Sequence, residues 1–285
     1  MAQQPVPSRQ TPLSDDLWPL TRGVSPHDGG ALSNINAKTA DRIRATDPTA
    51  AQFLRPFITS RTVLRGFHRW CLRLTSRDAS NANKSPEVRA RVARSAHTRP
   101  ANHPLPPWAL VDEHRYPSRI IVVPRRFPGV LEMVPVISFD QGEIAGDQVW
   151  VITDNHLLTA GVVASRLYRV WLSVVSKSAG ADVSVGATSA HNTFPLPELT
   201  DEQRERIEDA AERMLLARSY AMDHNFDDLY SRSTMPKPLR QAHDDIDAVL
   251  SEVFEVPSDS SDARLRSTLR DAHKNLTARQ GKRAT

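Results

Sequence analysis

Apolar residues form short β-branched runs through the middle of the chain and then recur at helical spacing towards its end. Short apolar runs that end at turn residues predict strands. Such runs are FLRPFI (53–58), RWCLRL (69–74), RIIVVP (119–124), VPVISF (134–139) and QVWVIT (148–153). Two segments favour helices instead, PEVRARVARSAH (86–97) and 157–175, where Leu158, Val162 and Leu167 begin one apolar stripe. The middle of the chain is therefore predicted to be a mixed α/β body.

The pattern changes after NTFPLP (192–197), where amphipathic helices are predicted. Thr200 can cap the first helix, with Gln203 as its capping-box partner. A second helix follows MPKP (235–238), and apolar residues from Leu265 to Leu276 indicate a third. The predicted fold class is α+β, with a mixed α/β domain over 51–197 followed by a small helical domain over 198–285.

Residues 1–50 contain six prolines and few apolar clusters, which predicts an irregular lead-in. The start has no apolar signal region, and no run approaches the roughly 18 apolar residues of a membrane helix. Cys71 is the only cysteine, which excludes a disulfide framework and cysteine-paired zinc sites. We therefore expect a cytoplasmic protein with no membrane partner.

The net charge of +4 hides an uneven distribution of charged residues. Residues 55–126 carry fifteen Lys/Arg and four Asp/Glu, a balance of +11, whereas residues 196–262 carry seven and seventeen, a balance of −10. Arginines recur every four residues from Arg61 to Arg77, and Arg89, Arg91 and Arg94 follow. Arginine suits phosphate contacts and bidentate reading of guanine. A solvated face and a nucleic-acid surface are both consistent with this run.

The sequence offers no local catalytic or metal motif. No two histidines lie within four residues of each other, and there is no phosphate-binding loop, dinucleotide fingerprint or nucleophile elbow. Leu105-Pro106-Pro107-Trp108 has the shape of the tetrapeptide with which amino-group DNA methyltransferases bind a flipped base. Leucine cannot accept the hydrogen bond that this chemistry needs, so Trp108 is predicted to be a packing residue.

Eight short motifs follow one another along the chain: SPHDGGAL (25–32), RPFITS (55–60), RWCLRL (69–74), VRARVARSA (88–96), IIVVPR (120–125), NTFPLP (192–197), Asp228-Leu229-Tyr230 and MPKPL (235–239). Their order and spacing resemble the C-terminal third of the MmeI-like family, single-chain adenine DNA methyltransferases of restriction–modification systems. The resemblance covers about residues 24–280.

This resemblance implies a target-recognition domain followed by a helical C-terminal domain, with double-stranded DNA as the partner. The implied S-adenosylmethionine site and catalytic tetrapeptide lie upstream in the family, so we expect no cofactor in this chain and a possible separate methyltransferase subunit. A stand-alone DNA-binding protein and a non-functional gene remnant are the alternatives, and whether the chain is part of an enzyme stays open.

The candidate DNA-contacting residues combine the arginine run with positions that the resemblance suggests. The family's variable base-reading positions fall at about 180–184, where Asp182 could accept from a cytosine amine or be a solvated turn residue. The full set is Arg61, Arg65, Arg89, Arg91, Arg94, Arg125, Arg126, Lys177, Asp182 and Ser184.

Overall fold

The computed structural model describes residues 5–110, 120–139, 142–153, 157–176, 181–221, 229–231 and 234–283. These residues form helices and three small sheets, which confirms the α+β fold class. The chain divides into a larger unit, residues 1–21, 121–138 and 150–285, and a smaller unit, residues 22–120 and 139–149. This division differs from the domain boundaries expected at 50/51 and 197/198, which stay a prediction.

Strands are short and concentrated in the first two thirds of the chain, and the long helices follow them. The strands are β1 (Thr21–Arg22), β2 (Ile35–Asn36), β3 (Leu54–Ile58), β4 (Arg69–Leu72), β5 (Ile120–Pro124), β6 (Arg126–Pro128), β7 (Ile137–Phe139), β8 (Ile144–Ala145), β9 (Val149–Ile152) and β10 (Asp182–Ser184). The helices are α1 (Ala37–Thr46), α2 (Pro48–Ala51), α3 (Ser60–Arg65), α4 (Ala79–Ala82), α5 (Pro86–Thr98), α6 (Leu158–Ala164), α7 (Arg166–Val175), α8 (Asp201–Tyr220), α9 (Lys237–Val253) and α10 (Asp262–Arg283).

The smaller unit is built on a four-stranded sheet of order β2-β4-β3-β8. Strand β4 pairs antiparallel with β2 and β3, whereas β8 joins β3 in parallel. Its buried core includes Ile43, Phe57, Leu72 and Cys71. Cys71 is buried, which raises the pKa of its thiol, and it packs as a small hydrophobic residue.

The segment expected to be an irregular lead-in, residues 1–50, contains regular structure, so this prediction is wrong over residues 37–50. Helix α1 starts where the Asn36 side chain accepts from Thr39 N, and Asp47 caps α2 in the same way. Helix α1 buries Ala40 and Ile43. The prolines that suggested irregular structure lie mostly before residue 27, and Pro48 occupies the first turn of α2, where proline is tolerated.

The turn that precedes α1 is organised around the buried side chain of Asp28. Its carboxylate accepts hydrogen bonds from Gly30 N, Leu32 N and Ser33 N at 2.9, 2.7 and 2.7 Å. Gly29 and Gly30 have φ of +60° and +78°, which favours glycine at both positions. In the Asp-Gly-Gly sequence, the aspartate side chain therefore binds the backbone N–H groups of the turn, and the two glycines allow the backbone conformation that this requires.

The larger unit contains most of the sheet of order β1-β9-β5-β7 together with helices α6 to α10. Strand β7 starts at Ile137 rather than at the predicted residue 134, because Pro135 has no N–H for a sheet ladder. The helix predicted over 157–175 is two helices, since α6 and α7 meet at a bend of 67°. Ser165 makes this break, donating from Oγ to Val162 O and accepting from Tyr168 N.

The predicted C-terminal helices are present. Thr200 and Gln203 form the expected capping box at the start of α8. Helices α8 and α9 pack against α6, and α10 packs against α7. Gly161 permits the close contact of α6 with α8, because an added Cβ would lie 2.7 Å from Ile207 Cγ2. The helices of the acidic region thus pack on other helices of the larger unit.

Within the described part of the chain, no single helix is long and apolar enough to cross a membrane. The bent pair α6 and α7 would reach the required length and composition together, and most of its residues are buried inside the protein.

Candidate nucleic-acid interface

Strands β6 and β10 form a two-stranded antiparallel ribbon in the larger unit. Arg126 lies opposite Ser184, Phe127 opposite Val183 and Pro128 opposite Asp182. Because side chains alternate along a strand, Arg126, Asp182 and Ser184 share one face and Phe127 takes the other. Phe127 is buried, Ser184 is half-buried, and Arg126 and Asp182 are exposed. The ribbon therefore presents a polar face to solvent and anchors its apolar face in the core.

Main-chain hydrogen bonds close both ends of this ribbon. At one end, Gly129 N donates to Ala181 O at 2.7 Å, and at the other Val185 N donates to Arg125 O at 2.9 Å. A Cβ built on Gly129 would lie 2.7 Å from Ala181 O, which is closer than real Cβ atoms approach. Glycine is therefore required at position 129 by this close contact.

Trp150 and Arg125 hold the base of the ribbon. The Trp150 indole Nε1 donates to Val185 O at 2.6 Å. The Arg125 guanidinium lies 4.9 Å from the centroid of the Trp150 ring, a cation–π contact. Arg125 is half-buried in this arrangement. It directly precedes β6 and supports the ribbon through its side chain.

Arg169, on helix α7, supports the ribbon from its apolar side and was not predicted to be a site residue. Its guanidinium donates to Leu131 O at 3.1 Å and to Gly129 O at 2.8 Å, and it lies 5.6 Å from the Phe127 ring centroid. Burial lowers the pKa of Arg169 from its usual value. Nothing in the local sequence distinguishes this arginine from one on a helix surface, because its partners lie about forty positions away along the chain.

The polar face of the ribbon has side chains suited to reading base edges. The DNA major groove admits a two-stranded β-ribbon. An arginine there can donate two hydrogen bonds to guanine, and an aspartate can accept from the cytosine amine. Arg126, Asp182 and Ser184 supply a cation, a carboxylate and a hydroxyl on one face of the ribbon, whose two strands are three residues long.

The other candidate arginines lie in the smaller unit. Arg61 and Arg65 are four residues apart on α3, so they project from one side of it. Both are exposed, and neither makes an ion pair within the described ranges. On α5, Arg94 is exposed, and Arg89 is exposed while donating to Asn83 O. These four arginines are available for phosphate contacts.

Arg91 was predicted to contact DNA, and the structure gives it a different role. Its side chain is buried, and Nε donates to Glu87 Oε1 at 2.7 Å while Nη1 donates to Ala31 O at 2.6 Å. With its guanidinium committed to these acceptors, Arg91 holds α5 to the turn before α1 and is withdrawn from the set. Lys177 lies outside the described residues.

The tetrapeptide Leu105–Trp108 does not fit a base-binding or S-adenosylmethionine-dependent catalytic site. The Arg99 guanidinium donates to the carbonyls of Leu105 and Pro106, and Ser95 Oγ donates to Pro107 O at 2.8 Å. Trp108 packs against the core of the smaller unit, as predicted. No cluster of three or more metal-ligating side chains occurs among the residues that the structure describes.

Comparison with known proteins gives matches along almost the entire chain. The family model described as the target recognition domain of MmeI matches residues 1–198, and that of the MmeI C-terminal domain matches residues 199–280. DNA methyltransferase A of Bacillus subtilis (strain 168) is 27% identical over 281 residues, which are 96% of this chain and 32% of that protein.

The fold is also similar to a solved structure, that of the Type IIL restriction-modification enzyme MmeI in complex with DNA. The TM-score is 0.84 at 22% sequence identity, covering 97% of this chain and 38% of that one. The chain therefore spans about a third of the length of these proteins.

Proposed function

Because this chain belongs to the MmeI family, with its target-recognition and C-terminal domains, we propose that it recognises a specific double-stranded DNA sequence for an adenine-N6 methyltransferase. The observation that carries this proposal is the polar outer face of the ribbon formed by β6 and β10, which lies within the residues matched by the target-recognition model. The ribbon is both exposed and rigidly supported, as a base-reading surface must be.

Base reading and phosphate binding fall to different residues in this proposal. In the major groove, Arg126 contacts guanine and Asp182 accepts from a cytosine amine, with Ser184 beside them. The exposed arginines of α3 and α5 contact phosphates, which supply affinity without sequence preference. The acidic surface of helices α8 and α9 would repel phosphate, so these helices do not contact DNA.

We propose that methyl transfer is carried out by a different polypeptide. In our proposal, a separate methyltransferase chain binds S-adenosylmethionine and acts on the adenine that this chain selects. The support for this division is that the only tetrapeptide of methyltransferase shape, Leu105–Trp108, is engaged in packing and main-chain hydrogen bonds.

The recognition proposal is tested by selecting duplexes from a random pool with the purified chain. We expect one enriched sequence and an affinity that falls steeply with salt, since several phosphate contacts release counterions. The Arg126→Ala, Asp182→Ala double variant should retain salt-dependent binding but lose the enriched sequence. A pool that shows no enrichment would contradict sequence-specific recognition.

The separate-chain proposal has its own experiment. The chain is co-expressed with the product of an adjacent reading frame that carries a methyltransferase motif, and the purified complex is given S-adenosylmethionine and the selected duplex. We expect adenine methylation by the complex and none by either chain alone. A complex that binds the duplex without methylating it would contradict the division of labour while leaving recognition intact.

A further inference from the structure

The turn after α3 presents an aromatic side chain to solvent, and it follows a helix that carries two exposed arginines. Phe67 is 58% exposed, and it follows Arg65 by two residues in the smaller unit. Arg61 lies one helical turn earlier, and the side chains of both arginines are exposed. An exposed aromatic ring in the same short segment as two exposed arginines combines an apolar plane with charges that attract phosphate.

Hydrogen bonds hold the main chain at Phe67 in place, whereas its side chain is largely exposed to solvent. Helix α3 begins with a capping box between Thr59 and Thr62 and ends at Gly66, whose φ of 64° is left-handed. Thr62 Oγ1 then donates to Phe67 O at 3.0 Å, and Gly66 N donates to Thr62 O at 3.1 Å. The same threonine therefore caps the start of the helix and holds the turn that follows it. Such preorganisation reduces the entropy lost when the ring is immobilised by a ligand.

We propose that Phe67 is a wedge that contacts the bases of double-stranded DNA, while Arg61 and Arg65 bind the phosphates on either side of it. This inference rests on the proposed DNA recognition. Apolar side chains that enter a base step unstack it partly and let the protein approach a bent duplex more closely. Positive charge next to the ring favours a duplex over an apolar protein surface as its occupant.

The experiment compares Phe67→Ala with the arginine variants in the full chain on the selected duplex. We expect Phe67→Ala to weaken binding by about 5- to 100-fold, as for loss of one base–aromatic contact, without changing the salt dependence. Arg61→Ala and Arg65→Ala should each reduce the slope of log affinity against log salt by about 0.9. Tyr220→Ala is the matched control, because Tyr220 is 83% exposed on the acidic helix α8 and should not affect binding.

A second readout follows the bases directly. With 2-aminopurine placed successively along the selected duplex, the wild-type chain should raise fluorescence at one step, and Phe67→Ala should abolish that rise. Phe67→Leu keeps an apolar wedge and should retain part of it. If the wild-type chain binds the duplex while Phe67→Ala changes neither affinity nor fluorescence, the wedge is wrong and the recognition proposal stands. If the wild-type chain binds no DNA, both are wrong.

Discussion

In the proposed function, a single residue of the ribbon can contribute to sequence specificity without contributing to overall DNA affinity. Asp182 is exposed and carries a negative charge, so it can select a base but cannot attract phosphate. We expect Asp182→Ala to abolish the preference at one base pair, a loss of about 1–3 kcal/mol of discrimination, while affinity for random duplexes stays equal or rises. Competition binding with each of the four base pairs at that position measures this.

The control for that substitution is Asp209→Ala, which removes an exposed aspartate from the acidic helix α8. It should change neither preference nor affinity. If Asp182→Ala instead left the selected sequence unaltered, Asp182 would be a solvated strand residue with no part in base reading.

Asp28 illustrates a residue whose charge serves the fold. Burial alone would raise the pKa of Asp28. Hydrogen bonds from Ser33, Gly30 and Leu32 lower the pKa by more than burial raises it, so it lies below its usual value. The stabilisation is therefore present above the unfolded-state pKa and is lost as pH falls through the folded-state pKa. We expect Asp28→Asn to lower the free energy of unfolding by about 2 kcal/mol at neutral pH.

Urea unfolding of Asp28→Asn and wild type at pH 7 and pH 3 measures the effect. Their difference should shrink at the lower pH, because Asp28 in the unfolded wild-type chain then takes up a proton whereas asparagine cannot. A difference that is the same at both pH values would show that the charge of Asp28 does not stabilise this turn.

At the scale of elements, the hydrophobic periodicity of the sequence predicted those strands and helices whose buried residues recur regularly within one segment. The apolar strand β5, the arginine-rich helix α5 and the capped helix α8 were all predicted from local pattern. The ribbon was not, because β6 and β10 have three residues each and their pairing joins positions more than fifty apart in sequence. Its polar residues could be proposed only from the family resemblance, and its support by Arg169 only from the structure.

Arg91 shows the same limit from the opposite side. A helical arginine run indicates which residues are basic, but only packing determines which of them reaches solvent. Arg91 faces inward because Glu87 and Ala31 O accept its hydrogen bonds, whereas Arg89 and Arg94 remain exposed. Similarly, the α6–α7 break depends on the hydrogen bonds of one serine within an otherwise continuous apolar stripe.

The ribbon as an element depends on the close contact at Gly129. In Gly129→Ala the new Cβ would meet Ala181 O at 2.7 Å, so β6 and β10 must separate at that end. We expect weaker binding to the selected duplex and a reduced preference at the Asp182 position, with far-ultraviolet circular dichroism unchanged. Binding titrations and selection with the variant measure this.

A second glycine provides the control. Gly281 lies in helix α10 with nothing within 4 Å of an added Cβ, so alanine should be accommodated there. Gly281→Ala should leave DNA binding unaltered and stabilise the helix by up to about 1 kcal/mol. Equal effects of the two substitutions on binding would argue against the ribbon as the reading element.

At the scale of the molecule, the net charge of +4 is a poor guide because the charges are segregated. The basic balance lies in 55–126 and the acidic balance in 196–262, where α8 and α9 pack on the helices of the larger unit. In the proposed function, DNA binding depends on where the arginines are exposed rather than on the total charge. The two family models that together match residues 1–280 describe a recognition region and a C-terminal region.

This division predicts that DNA specificity can be transferred as one piece. The test is a chimera in which this chain replaces the segment of DNA methyltransferase A of Bacillus subtilis that it matches, 32% of that protein. We expect the chimera to methylate the sequence selected by this chain, because recognition and methyl transfer then reside in different segments. Sequencing of methylated bases in DNA exposed to the chimera measures this. Introducing Asp182→Ala into the chimera should remove the base preference at one position of the methylated sequence. That loss would show that the ribbon determines this base preference. A chimera that keeps the specificity of the Bacillus protein would place base reading outside these residues.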